Sequence, residues 1–368
     1  MKPKSSDKLQ GYQVNAPDWR TLLRTNDSRT RNVIVIFIIT YIAIGFLMDL
    51  YFYTSNPFQT TAIASMSQAP NNFNNLNNTD LKTETMNLIT FNMLPIATFG
   101  MIIVAIFSLL ITFSFHKKMV MLGTDYVEAS SDSKDLDGKE LYNVVEELKI
   151  AAGLGFMPKV YIIEADYMNA FASGMSEKTA LVAITRGLLE KLDRSELQAV
   201  MAHELSHIRH NDIRLTITVA LLSNLILIAI DILFRGVLYS RSRDDRLFII
   251  ILIIRFLLPI LTVLLMLYLS RTREYMADQG AVELTRDNEP LGRALLKIHN
   301  DHTNHYSSYK KEYSSTPHEE VRNASYFYDP RYAGIKPLQS LNSLFSTHPP
   351  LEARLKALGI VEKPKTAV

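Results

Sequence analysis

Four long apolar runs break up this chain, and the stretches between them carry shorter helical and strand periods. The runs predict membrane-spanning helices over 33–53, 93–115, 215–234 and 247–269. Each is about 20 residues, the length a helix needs to cross a hydrocarbon core of roughly 30 Å. A buried helical hairpin in a soluble domain is the alternative for the last two, and their length argues against it. The first run is too long and too far along the chain for a cleaved leader, so it is expected to be a retained anchor. Gly138 to Ala152 has the spacing of an amphipathic helix. Lys159 to Glu164 and Thr179 to Ile184 read as strands, with Asn169 to Gly174 as an edge strand between them. Asp193 and Glu196 form a capping box, after which Leu197, Val200, Met201, Leu205 and Ile208 recur at roughly helical spacing.

Polar interruptions of the runs refine this picture. Arg255 lies inside the fourth run, where a bare Arg at mid-bilayer costs about 2.5–3.5 kcal/mol. Folding the third and fourth runs as an antiparallel hairpin puts Asp231 about one helical turn from Arg255, so the two are expected to pair. The first 32 residues hold seven Lys or Arg against three Asp, and Lys117 and Lys118 follow the second run. The 54–90 connection has a single Lys, so it is expected outside and both flanks in the cytoplasm. Its Asn71 to Asn78 tract reads as a disordered polar loop. Arg235, Arg241, Arg243 and Arg246 at the later turn conflict with a full crossing of the second hairpin.

Composition adds exclusions. A net charge of +2 over 368 residues argues against nucleic acid as a main partner. The absence of Cys removes disulfides, thiolate ligands and a Cys nucleophile.

The chemistry concentrates in His203-Glu204-Leu205-Ser206-His207, an H-E-x-x-H on the helix opened by Asp193. Two His four apart on one helix face can reach a single metal ion. A zinc ion with three protein ligands lowers the pKa of a bound water to roughly 7, and Glu204 is placed to take its proton. His210 lies one turn further, and a straight helix cannot bring three turns to one tetrahedral ion, so it is read as non-ligating. Glu274 is the best third ligand, with Asp278 four residues on and able to orient a ligating His. On spacing alone an exposed acidic pair balancing Arg271 and Arg273 is as good a reading. His203 is 12 residues before Leu215 and Glu274 five after Leu269, which puts the metal within about 8–18 Å of the bilayer edge. His299, His302 and His305 read as surface residues. Residues 300–346 read as an irregular insertion, a candidate lid. Thr347-His348-Pro349-Pro350 starts a short helix carrying Arg354, and His348 and Arg354 are donors for an oxyanion.

The runs NAFASG, AVMAHELSHIRHND, SRTREYMADQGA and THPPLEARLKAL, in this order, resemble the HtpX family of membrane zinc metalloproteases, which is related to the CAAX prenyl endopeptidases. The resemblance covers roughly 90–360. It implies one zinc held by His203, His207 and Glu274, with Glu204 as general base. It implies that Asp278 orients a ligand, and that His348 and Arg354 contact the transition state or substrate. NAFASG, headed by Asn169, would be the substrate-binding edge. The family is associated with quality control of membrane proteins in bacterial cytoplasmic membranes, often under stress. This chain departs from it in its N-terminal extension and in 300–346.

The expected fold is thus an integral membrane, mainly α protein with about four transmembrane helices and an α+β zincin-type metalloprotease domain with a small sheet. The parts are a cytoplasmic extension (1–32), the four spans with their 54–90 loop, and catalytic segments at 119–212 and 270–368. The expected partners are the lipid bilayer and membrane-protein or peptide substrates. A prenyl-protein processing protease and a non-proteolytic membrane scaffold or transporter are the rival readings.

Overall fold

The computed structural model describes residues 12–15, 19–55, 81–121, 125–174, 176–239, 245–305, 307–309, 327 and 348–362. The Asn71 to Asn78 tract, the 240–244 turn and most of 310–347 lie outside the described residues. In chain order the elements begin with β1 (Tyr12–Val14), α1 (Trp19–Ser55), α2 (Leu81–Ile89), α3 (Ile96–Met121) and β2 (Tyr126–Ala129). Next come α4 (Leu136–Ala152), β3 (Lys159–Ile163), β4 (Ala170–Ser173), β5 (Leu181–Thr185), α5 (Arg186–Lys191) and α6 (Arg194–Arg209). The last are α7 (Asp212–Tyr239), α8 (Asp245–Thr285), α9 (Glu289–Asn304), α10 (Leu351–Ala357) and β6 (Ile360–Glu362). They divide into two compact units, one of residues 1–31, 113–217 and 267–368, the other of 32–112 and 218–266.

The second unit is built from apolar helix. Among the described residues, three stretches are long and apolar enough to cross a membrane: Arg20–Tyr53, Asp212–Leu238 and Phe248–Thr285. The run expected at 93–115 becomes α3, whose described apolar part, Ile96–Thr112, is shorter. It starts three residues later than expected because Pro95 disfavours helical geometry at Leu94. Pro95 has no side chain able to cap α3, and Asp49 of α1 does so instead. The Asp49 carboxylate accepts from Ala97 N at 2.6 Å, Thr98 N at 3.0 Å and Thr98 Oγ1 at 2.7 Å. A cap of this kind contributes about 1 kcal/mol. The approach is tight: a Cβ on Gly45 would lie 2.9 Å from Thr98 Oγ1. Part of the expected 54–90 loop is helical, as α2.

The expected pair is formed, with Arg255 Nη2 3.0 Å from Asp231 Oδ1 and Arg235 Nε 2.7 Å from Oδ2. Ile103, Phe107, Ile228, Ile232, Phe256, Leu257 and Ile260 are exposed. A soluble hairpin would bury them, and a lipid-facing one would not.

In the first unit a four-stranded sheet runs β2-β3-β5-β4, antiparallel except for the parallel β3–β5 pair. β4 is at the edge, as its sequence predicted. Alternation assigns the faces. Tyr161, Ile163, Phe171, Leu181 and Ala183 line one side. Val160, Ile162, Ala172, Val182 and Ile184 face the main core, where Leu141, Val144 and Leu148 of α4 meet Leu197, Val200 and Leu205 of α6. Gly153, at φ 70°, closes α4 in the left-handed conformation that favours glycine.

The predicted capping box starts α6: Asp193 accepts from Glu196 N at 2.9 Å, and Glu196 Oε2 accepts from Asp193 N at 3.0 Å. Glu196 is buried and ion-paired to Lys297 and Arg293 of α9, which ties α9 to the start of the metal-binding helix.

One surface expectation is corrected by this packing. His302 is 1% exposed, and its Nε2 lies 2.8 Å from the Met168 carbonyl. The last turn of α9 faces the β3–β4 connection, which covers it, whereas His305 is exposed. Burial pushes His302 down to about 4. Below the unfolded value of about 6.5 the unfolded chain therefore takes up a proton that the folded chain refuses. The neutral side chain's stabilisation is complete above about pH 6.5 and fades toward pH 4, by about 3 kcal/mol at most. The melting-temperature advantage of wild type over His302→Gln should shrink steadily from pH 7 to pH 4.5. Parallel pH curves for the two proteins would contradict this account.

Candidate metal centre

The site is assembled from α6, α8, α10 and the segment that leads into α10. His203 and His207 stand on successive turns of α6, with Glu204 next to the first. α8 continues unbroken past the end of its apolar run to Thr285, so Glu274 and Asp278 lie one turn apart on one helix. α8 comes close to α6 because it carries Gly280 there: a Cβ at that position would lie 2.1 Å from Ser206 Oγ.

His203 Nε2 and His207 Nε2 are 3.1 Å apart. Glu274 Oε2 is 3.8 Å from the first, and Oε1 is 3.6 Å from the second. Ligands on a tetrahedral zinc, with bonds of about 2.0–2.1 Å, lie about 3.3 Å from one another. The three side chains can therefore hold one metal ion, with one atom from each inside a 4.8 Å span.

The ring nitrogens strengthen this. His203 Nδ1 faces Asp278 Oδ1 at 3.0 Å, and His207 Nδ1 faces Asp212 Oδ2 at 2.8 Å. A carboxylate at Nδ1 holds the proton there and leaves the lone pair on Nε2. Two lone pairs then converge, and a cation satisfies both where a hydrogen bond would satisfy only one. Burial, and His203 after it, push His207 down to about 3, so it is a neutral donor at physiological pH.

The charges around this pair are arranged to keep Glu274 ionised. Burial alone would raise its pKa, but His348 and Arg354 outweigh that and hold it well below the usual carboxylate range. His348 Nδ1 is 3.1 Å and Arg354 Nη1 3.6 Å from Glu274 Oε2. Glu204 behaves oppositely. It is 1% exposed, and burial, with Glu274 second, raises it well above the usual range, the Ala172 backbone partly offsetting this. Arg354 is held by three hydrogen bonds: Nε and Nη2 meet Asp278 at 2.9 and 2.6 Å, and Nη1 donates to the Phe327 carbonyl at 3.1 Å.

The structure thus gathers His203, Glu204, His207, Glu274, Asp278, His348 and Arg354. Asn169 stands at the head of β4, completely buried, its Oδ1 accepting from Ala170 N at 3.0 Å. His210 turns its Nδ1 to the Ser206 carbonyl at 2.9 Å and is outside the cluster.

Two contributors were missed in the sequence. Asp212, five residues past His207, orients that ring as Asp278 orients His203. Arg273 pairs with Asp212 and donates to the His210 carbonyl at 3.1 Å. The signal for Asp212 was an acid just beyond the second His at a helix start, where a carboxylate suits the helix dipole.

The profile of Peptidase family M48 matches residues 135–361. The chain belongs to that family. Among its M48 relatives is the "Protease HtpX homolog" of Helicobacter pylori (strain Shi470), 36% identical over 345 residues, 93% of this chain and 98% of the relative. The "Protease HtpX homolog" of Dictyoglomus thermophilum is 43% identical over 223 residues, 59% of this chain and 68% of the relative. The crystal structure of S. mikatae Ste24p, 19% identical, overlays with a TM-score of 0.48 and covers 74% of this chain and 60% of that one. M48 membership and the apolar helices make this protein a membrane metalloprotease.

Proposed function

We propose that the protein is a zinc-dependent endopeptidase of the cell (cytoplasmic) membrane, with its catalytic domain on the cytoplasmic side. Its substrates on this reading are misfolded or damaged membrane proteins, and its role is quality control. The convergence of two imidazoles and one carboxylate carries the reading, because that donor set suits zinc. Bound zinc supplies Lewis acidity and a lowered water pKa. The protein supplies the rest. Glu204 takes a proton from the attacking water and returns it to the leaving amine. Asp278 and Asp212 keep the two ligating rings in the required tautomer. His348 and Arg354 place positive or donor character where charge develops on the substrate carbonyl. β4 offers an edge along which an extended peptide can lie.

A membrane substrate is favoured by sequence distance, since both ligand-bearing segments adjoin apolar runs. The basic first 32 residues favour the cytoplasmic side. The test uses the full chain in detergent. It should retain one zinc per chain, lose cleavage on chelation and regain it with zinc. It should also cut a destabilised membrane protein faster than its folded form. Full activity with a different native metal would remove zinc from the proposal, and equal cutting of both forms would remove quality control.

A further inference from the structure

Phe327 is brought into the metal centre by contacts that catalysis does not require. It lies within 300–346 and is 1% exposed. Its ring meets the His203 imidazole edge-on, with centroids 4.8 Å apart at 86°, and the Arg354 guanidinium is 4.8 Å from its centroid. Its backbone is also held. The N–H donates to the Ala170 carbonyl at 2.8 Å, and the carbonyl accepts from Arg354 Nη1 at 3.1 Å.

Those partners belong to the open side of the edge strand. The Asn169 carbonyl accepts from Thr185 N, so Asn169 and, by alternation, Phe171 turn toward β5. Ala170 and Ala172 turn outward, and Ala172 reaches toward Glu204. A peptide added to this edge must give an N–H to Ala170 and set a side chain beside the ligands. Phe327 does both, and its carbonyl accepts from Arg354, which also lies 3.6 Å from Glu274. A residue that served only the core would need no bond to the edge strand.

We propose that Phe327 is a built-in occupant of the peptide cleft. It holds the place of one substrate residue and leaves before substrate lies along β4. The pocket it vacates selects a large apolar side chain, aromatic by preference. The inference rests on the peptidase reading of the site. If the occupied state prevails by about ten to one, apparent peptide affinity is lowered about tenfold.

The test uses the full chain in detergent with Glu204→Gln as background, so that binding is read without turnover. The probes are a fluorescent nonapeptide with one central Phe among small residues and the same peptide with Ala there. Phe327→Ala should bind the Phe peptide roughly tenfold more tightly than the parent, and Phe327→Leu should fall between. The Ala peptide should gain by about the same factor, because the vacant fraction scales every peptide's affinity alike, but should bind more weakly than the Phe peptide to each protein. With Glu204 restored, Phe327→Ala should lower KM and leave kcat nearly unchanged. Unchanged or weaker binding by both variants would overturn the proposal. If Phe327→Ala does not fold, a synthetic copy of residues 323–331 decides: it should compete with the probe, and its Phe→Ala version should not. Equal competition by the two would overturn the proposal as well. Failure of the peptidase reading is separable, because neither protein would then cleave.

Discussion

A Glu204→Gln protein should keep its metal and lose cleavage by at least a hundredfold, within the roughly 10²–10⁴ that a positioned proton acceptor contributes. The two outcomes separate because the side chains have separate jobs. His203, His207 and Glu274 converge on one point, and Glu204 lies beside them with its carboxylate buried near the outward edge of β4. Gln has the same shape, so the packing of α6 is preserved, but its amide cannot accept a proton. Burial raises the Glu204 pKa first and Glu274 adds to it, which makes the carboxylate a better base. The charge of a bound cation draws it back toward ionisation. Glu204→Asp keeps the chemistry and withdraws the carboxylate by one methylene, so its activity should lie between Gln and wild type. The check is kcat on a quenched peptide beside metal analysis of the same preparation. A kcat within a few-fold of wild type would remove Glu204 as the base.

The sequence was most legible where a local pattern had one structural solution. Asp193 and Glu196 announced the start of α6, and the four-residue spacing of His203 and His207 needed only a helix to bring both rings to one point. Asp231 and Arg255 were predicted to pair because lone charges at similar depth in apolar helices have few alternatives, and they do pair.

Spacing could not separate a ligand from an exposed acid at Glu274, because the answer lies in tertiary structure. It depends on Gly280 letting α8 close on α6, and on His348 and Arg354 arriving from the segment before α10 and from α10 itself. His302 was misread for the same reason: a polar, Tyr-rich context suggested surface, while the β3–β4 connection covers that turn of α9. Phe327 carried no local signal, since its partners, Ala170, His203 and Arg354, are distant in sequence.

Removing Asp278 should have the largest effect on the folded state. Its carboxylate is completely buried and serves two partners, Arg354 through two hydrogen bonds and His203 through Nδ1. Burial raises its pKa less than Arg354 and His203 lower it, so it is ionised in the fold. Asp278→Ala strands a buried guanidinium, and breaking such a pair from one side costs about 3–5 kcal/mol. It also frees the His203 ring to exchange tautomers, which typically weakens a metal site by about 10–100-fold. The two losses can be separated. Asp278→Ala with Arg354→Met removes both charges, and exchanging a buried pair for apolar volume is often close to neutral. The double variant should recover much of the melting temperature and none of the zinc affinity measured against a competing chelator. Asp278→Asn should be milder in stability, yet its amide can donate to Nδ1 and push the proton to the ligating nitrogen, so zinc affinity should fall there too. Wild-type zinc affinity in both Asp278 variants would show that the carboxylate serves Arg354 alone, and that the His203 lone pair is set by something else.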